Sequence, residues 1–142
     1  SERKILELSR DEKNSKINAF ENPLTHSQLN KARAAVRDVR MSEQVEEYLV
    51  QIILATRNSE KYGGNLSDWL EFGASPRATI ALDICSKSLA WLDNRNFVTP
   101  DDIRSIAHDV LRHRLILSFE AEANGISSDQ VVDELLKVVP SA

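Results

Sequence analysis

The stretch Gly73-Ala74-Ser75-Pro76-Arg77-Ala78 is where residue types and spacing come closest to a binding site. Ser75 is a residue type that caps helices, and Pro76 suits the first helical position, where the amide it lacks would go unpaired anyway. Gly73 supplies a turn before them. Apolar residues then recur through Leu92, so a helix begins here with Arg77 in its first turn. That end of the helix dipole is positive, and a cation placed there costs about a few tenths of a kcal/mol. The parts admit two readings. In one they are a loop, a cap and an exposed arginine. In the other, the Arg77 guanidinium stands beside the free first-turn amides and the pair receives a phosphate oxygen. The misfit between arginine and dipole points to an anion outside the segment.

Other chemistries fail on residue type or spacing. There is no G-x-x-x-x-G-K-[ST] loop to cradle a triphosphate, no H-E-x-x-H, and no cysteine pair. His26, His108 and His113 are scattered, and the five-residue interval between the last two is a poor same-face spacing for ligands. All three are read as structural or surface residues, and no metal site is expected. Cys85 falls on an apolar stripe and reads as core. Asp101 and Asp102 form a carboxylate pair, but their first-turn position after Thr99-Pro100 accounts for them. No serine lies in a G-x-S-x-G frame.

Composition sets the frame. The chain has 142 residues, 42% hydrophobic and 6% aromatic, with four glycines and four prolines. That is one mostly helical domain's worth of sequence. The net charge of −4 argues against a non-specific nucleic-acid binder. Residues 1–40 carry +3 and residues 41–142 carry −7, a mild asymmetry that a solvated basic face explains. A helix-turn-helix DNA reader is disfavoured by the acidic balance and by the lack of a basic recognition helix. Cys85 is the single cysteine, so no intrachain disulfide forms, which suits a reducing compartment. No apolar run reaches the ~20 residues of a membrane span. The opening SERKILELSRDEK is charged, unlike a signal peptide. A cytoplasmic location is the default expectation. A helical pattern that starts at once, with no initiator Met, suggests a cut through a larger protein.

The elements that position Gly73–Arg77 follow from periodicity. ERKILELS reads as a short helix end, and NSKINAFENP as a loop or frayed turn. Thr25 and Gln28 make a capping box, followed by a stripe of Leu29, Ala32, Val36 and Val39. Ser42 caps a helix through Arg57 with Val45, Tyr48, Leu49, Ile52, Ile53 and Thr56 on one face. The link Lys61–Phe72 turns at Gly63-Gly64 and holds a short helical turn near Ser67–Glu71 pinned by Trp69. The helix from Ser75 carries Ala78, Ala81, Ile84, Cys85, Leu89 and Leu92. A second box, Thr99 with Asp102, opens a helix with Ile103, Ile106, Ala107, Val110 and Leu111. HRLILSF is a short strand or an extended packing segment. Asn124-Gly125 ends a possible helical turn. Ser127 and Gln130 box a last helix of Val131, Val132, Leu135, Leu136 and Val139. The expected fold is all-α: a small four-helix bundle with an N-terminal helical stub and a short C-terminal helix.

GASPRATIAL resembles the sensor-2 motif of the MoxR-type AAA+ ATPases. MSEQVEEYLVQIILATR is similar to the lid helix before that motif, and NFVTPDDIRSIAHDVLRHRLILSFEAEANGIS to the stretch after it. ERKIL looks like the tail of the large ATPase subdomain. The resemblance runs from about Glu2 to Val139, although the link between the two central helices is longer here than in the shortest family members. It implies a domain plan of 1–22 as subdomain tail and linker, 23–117 as helical lid, and 118–142 as C-terminal appendage. It implies that Gly73, Ala74, Ser75, Pro76 and Arg77 face a nucleotide, with Arg77 also catalytic as the lid's γ-phosphate sensor. ATP and Mg²⁺ would belong to the full-length parent, with no cofactor expected for this chain alone, which lacks the P-loop. The implied partners are the large ATPase subdomain of the same chain, like subunits in a ring that is usually hexameric, and a protein with a von Willebrand factor A domain, in a chaperone-like maturation role. Arg112, His113 and Arg114 either seat the lid or are solvated beside packed Leu111 and Leu115. The competing class is a helical protein-interaction domain with no nucleotide role.

Overall fold

The computed structural model describes residues 2–14 and 20–141. They divide into two units, Ser1–Lys31 and Ala32–Ala142.

In the first unit, α1 spans Glu2–Asn14, longer than the short helix end expected. Ile5, Leu6 and Leu8 on it are exposed. The expected loop or frayed turn after it falls partly on residues 15–19, outside the described residues; Glu21 and Asn22 form a bend. Thr25 then opens α2 (His26–Arg37), and the capping box forms as expected. The Thr25 amide donates to Gln28 Oε1 at 2.9 Å, and the Gln28 amide to Thr25 Oγ1 at 3.1 Å.

The second unit is built on α3 (Glu43–Arg57), α5 (Pro76–Leu92), α6 (Pro100–Leu111) and α8 (Ser128–Val138). Ile52, Leu82, Ile103, Leu111, Val131 and Leu135 are among its most fully buried side chains. Three of these helices are capped by side chains as expected. Ser42 Oγ accepts from the Val45 amide, and the Thr99–Asp102 and Ser127–Gln130 boxes both close. The all-α expectation holds among the described residues, with one addition. The short strands β1 (Leu70–Phe72) and β2 (Ile116–Leu117) pair antiparallel, Phe72 opposite Ile116.

The link Lys61–Phe72 is structured. Gly63 and Gly64 have φ of +76° and +66°, the left-handed region that favours glycine. The short helix α4 (Leu66–Trp69) follows, with Leu66 fully buried in the same core as α8. Trp69 packs against that core from its edge, and its carbonyl accepts from the Ser118 amide at 2.8 Å. The short helix α7 (Phe119–Ala123) begins at Ser118, and Gly125 turns the chain into α8 with a φ of +73°.

Two stripes turn out differently from the sequence expectation. On α5 the buried positions are Ala78, Leu82, Ser86 and Ala90; Ile84 and Leu92 are exposed, and Cys85 only flanks the core. The small Ala78, Ser86 and Ala90 beside Leu82 let the α6 backbone approach closely, and Ile80 and Ile84 turn outward. On α2 no residue is buried, and only Val39, just past its end, enters the core.

Polar pairs lock the far side. Arg104 of α6 donates to the Leu136 carbonyl at 3.1 Å, His108 meets Asp133 at 2.7 Å, and Arg112 meets Asp129 at 2.6 Å. The Asp129 and Asp109 carboxylates push the Arg112 pKa further above its already high value. Arg112 therefore ties α6 to α8, while Arg114 lies against the exposed His113 ring at 2.6 Å.

Candidate functional site: the open N-terminus of α5

Gly73–Arg77 is held from below by the last turn of α3. Thr56 is 2% exposed. Its hydroxyl donates to the Ile53 carbonyl at 2.7 Å and accepts from the Ala74 amide at 2.9 Å. Arg57 Nε donates to the Ala74 carbonyl at 2.8 Å. Both backbone polar groups of the buried Ala74 are thus satisfied by two consecutive α3 side chains, as a buried peptide demands. Gly73 lies so close to α3 that a Cβ there would stand 2.2 Å from the Thr56 carbonyl oxygen. No side chain fits without moving backbone. The glycine is therefore a close-approach residue as much as a turn residue.

Thr56 and Arg57 are the positioning residues that sequence reasoning missed. By periodicity alone Thr56 is part of an apolar stripe and Arg57 the end of a helix. The available signal was a threonine on an otherwise aliphatic face, where a hydroxyl must find a partner.

Ser75 sits at the N-cap with extended backbone, φ −76° and ψ 170°, and Pro76 occupies the first turn. The expected side-chain cap is not made: the Ser75 hydroxyl accepts no bond from the helix. Only its carbonyl is engaged locally, by the Ala78 amide at 2.9 Å. No acidic residue occupies the first turn. Arg77 is exposed, and among the described residues its guanidinium forms no hydrogen bond or ion pair. The result is a rigidly anchored helix end that presents one guanidinium, one hydroxyl and the Arg77 amide, since Pro76 has no N–H and the Ala78 amide is taken by the Ser75 carbonyl. Every one of these groups can donate to an oxyanion. No cluster of metal-ligating side chains occurs among the described residues.

The arrangement is a small helical bundle with a donor-rich N-terminus on α5 and a two-stranded antiparallel ribbon beside it. The family model described as "AAA lid domain" matches residues 67–135. Chaperone MoxR1 of Mycobacterium tuberculosis is 40% identical over 94 residues, covering 66% of this chain and 25% of that protein. YeaC of Bacillus subtilis is 32% identical over 132 residues, covering 93% of this chain and 39% of that protein. A crystal structure described as a candidate ATPase, from Cytophaga hutchinsonii, superposes with a TM-score of 0.81 at 33% identity, over 96% of this chain and 42% of that one. The chain belongs to the MoxR family of AAA+ ATPases and comprises its C-terminal lid region. It spans between a quarter and about two fifths of the length of these relatives.

Proposed function

We propose that this chain is the nucleotide-sensing lid of its ATPase and that Arg77 is the sensor-2 arginine. The observation that carries the reading is the anchored, uncapped end of α5, whose guanidinium has no partner among the described residues. An N-terminus left without an acid or a side-chain cap retains its attraction for an external anion. In the full-length protein that anion is the γ-phosphate of ATP, held with Mg²⁺ by a large subdomain that supplies the P-loop this sequence lacks. Arg77 contacts the γ-phosphate and steadies the charge that spreads over it during transfer. When phosphate leaves, Arg77 loses its partner, and the lid is released to rotate. Thr56 and Arg57 act at one remove, by fixing the loop from which α5 starts. Gly73, Ala74, Ser75 and Pro76 shape the backbone that faces the nucleotide.

On this reading residues 1–22 are the tail of the large subdomain, 23–117 the lid and 118–142 a C-terminal appendage whose helix α8 packs into the core of the lid. Like subunits form a ring, most simply a hexamer, in the cytoplasm. The machine acts as a chaperone in maturing other proteins and works with a partner bearing a von Willebrand factor A domain.

ATP hydrolysis by the full-length protein, wild type against Arg77→Ala, tests the assignment. Turnover should fall on the order of 10²-fold or more, as for other arginines that stabilise phosphoryl-transfer charge, with the melting temperature unchanged. Unchanged turnover would leave the motif a helix start and favour a helical protein-interaction domain without a nucleotide role.

A further inference from the structure

Below Arg77, the outward face of α5 carries two large apolar residues that the core does not use. Ile80 is 60% exposed and Ile84 is 53% exposed. At a spacing of four they share one face of the helix, with Arg77 at its top. Beside Ile84 lies a groove of about 460 Å³, bounded by Arg33, Val36 and Arg37 of α2 and by Asp83, Ile84 and Lys87 of α5. A second groove of about 350 Å³ continues from the same Asp83 and Ile84 toward Ile80, Thr79 and Met41. The floor is aliphatic and the α2 wall is cationic. Lys87 is neutralised by Asp83 at 2.9 Å. Arg33 and Arg37 are exposed, and among the described residues they form no ion pair. Glu46 stands on the wall of the second groove, so Arg33, Arg37 and Lys87 face Asp83 and Glu46, and the rim carries an excess of one positive charge, concentrated on the α2 wall, on a chain whose net charge is −4.

We propose that this trough receives the apolar face of an acidic amphipathic helix from a partner protein. Two features select that occupant. The exposed apolar positions follow the α5 axis at one-turn spacing, the pattern met by a helix laid along a groove and anchored at i, i+4 and i+7. The unpaired arginines at positions 33 and 37, one helical turn apart on α2, would meet carboxylates at the same one-turn spacing on that helix. Arg–carboxylate pairing sets orientation and accelerates encounter, while the aliphatic floor provides the burial. The trough lies beyond the helix end that would face the nucleotide, so the inference does not depend on the nucleotide-sensing reading.

The test uses the full-length protein and a fluorescein-labelled synthetic helix with leucines at every third and fourth position and glutamates on both flanks. Fluorescence anisotropy should show saturable binding that weakens as salt rises. Binding should fall about tenfold or more in the Arg33→Glu/Arg37→Glu double variant, and comparably in Ile84→Asp. Both variants should keep the wild-type melting temperature. A version of the peptide with lysines in place of the glutamates should not bind. No binding by the acidic peptide, or equal binding to the charge-reversed variant, overturns the proposal. Hydroxyl-radical footprinting supplies the remaining arm. Strong labelling of Ile84 in the full-length protein, lost when the acidic peptide is added, supports it. Protection of Ile84 before any peptide is added means that the protein's own remaining segments cover the trough, and that also overturns it. Either outcome leaves the Arg77→Ala turnover measurement unaffected.

Discussion

Helices α5 and α6 both begin with a hydroxyl residue followed by proline, Ser75-Pro76 and Thr99-Pro100, yet only α6 is closed at that end. The Thr99 side chain accepts from the Asp102 amide, and Asp102 Oδ2 accepts from the Thr99 amide at 2.8 Å. Arg95 reaches across and forks onto both Asp102 oxygens, at 2.6 and 2.8 Å. The dipole, the cap and the arginine are all satisfied within a few residues. At α5 the hydroxyl is idle, the first turn holds no acid, and the arginine has no partner among the described residues. Arg95 and Arg77 are the same side chain near the same kind of helix end. One has an internal carboxylate and is structural; the other has none, and its chemistry remains available to a ligand. An N-terminus that folding leaves unfinished is the place to look for function.

The largest effect should separate the two arginines by what is measured. Arg77→Ala should abolish most ATP turnover in the full-length protein and leave the folded lid as stable as before. The matching change on the closed side, Asp102→Asn, should do the reverse. It removes the charge of one of the two carboxylates that hold Arg95, leaving Asp93 at 3.2 Å, and weakens the acceptor of the Thr99 amide, at a cost of about 1–3 kcal/mol. Urea denaturation at neutral pH would check this.

The same pair has a pH signature. Burial alone would raise the Asp102 pKa, but the bonds from Arg95 and from the Thr99 amide and hydroxyl outweigh it and hold the carboxyl below its usual range. The proton is bound more readily by the unfolded chain, so stability from this carboxylate is complete above an ordinary aspartate pKa of about 4. It is lost as pH falls through the lower folded value. Wild type and Asp102→Asn should therefore differ most near neutrality and converge in acid. A difference that stays constant below about pH 4 would mean that the pair is not what Asn removes.

Most of the fold was legible because its signals are local. The Thr25, Thr99 and Ser127 boxes could be read from spacings of three, and all three are present. The α5 core face was misread because it is made of Ala78, Ser86 and Ala90 around a single Leu82, and periodicity searches for bulk rather than for smallness. The antiparallel ribbon β1–β2 pairs residues more than forty positions apart, and no local pattern announces such a register. At the site, Arg77 stood out by conflict with its own helix dipole. Its supports Thr56 and Arg57 did not stand out, since their partner Ala74 lies 18 and 17 residues away and the bonds go to backbone.

A smaller effect tests the caps themselves. Thr99→Ala removes an accepting hydroxyl and should cost about 1 kcal/mol. Ser75→Ala removes one that accepts nothing and should cost no more than about a few tenths. Thermal denaturation of both variants measures the gap directly. Equal losses would mean that Ser75 caps α5 in solution and that the end is not open.

The smallest effect carries the sharpest sign. If Arg77 were placed for stability, reversing its charge would harm the fold. The dipole argument says the opposite. Glutamate in the first turn of α5 sits at the positive end of the helix dipole, so Arg77→Glu should stabilise this chain by about 0.3–1 kcal/mol. The gain should shrink as salt is raised. No acidic neighbour would be left stranded, because Arg77 pairs with none among the described residues. The same substitution should repel the phosphate that the wild-type arginine attracts, so turnover in the full-length protein should fall at least as far as for alanine. A variant that is more stable and less active would show that the arginine is held at a helix end that does not want it. Loss of stability on reversal would instead mean that Arg77 has an internal partner and belongs, like Arg95, to the fold.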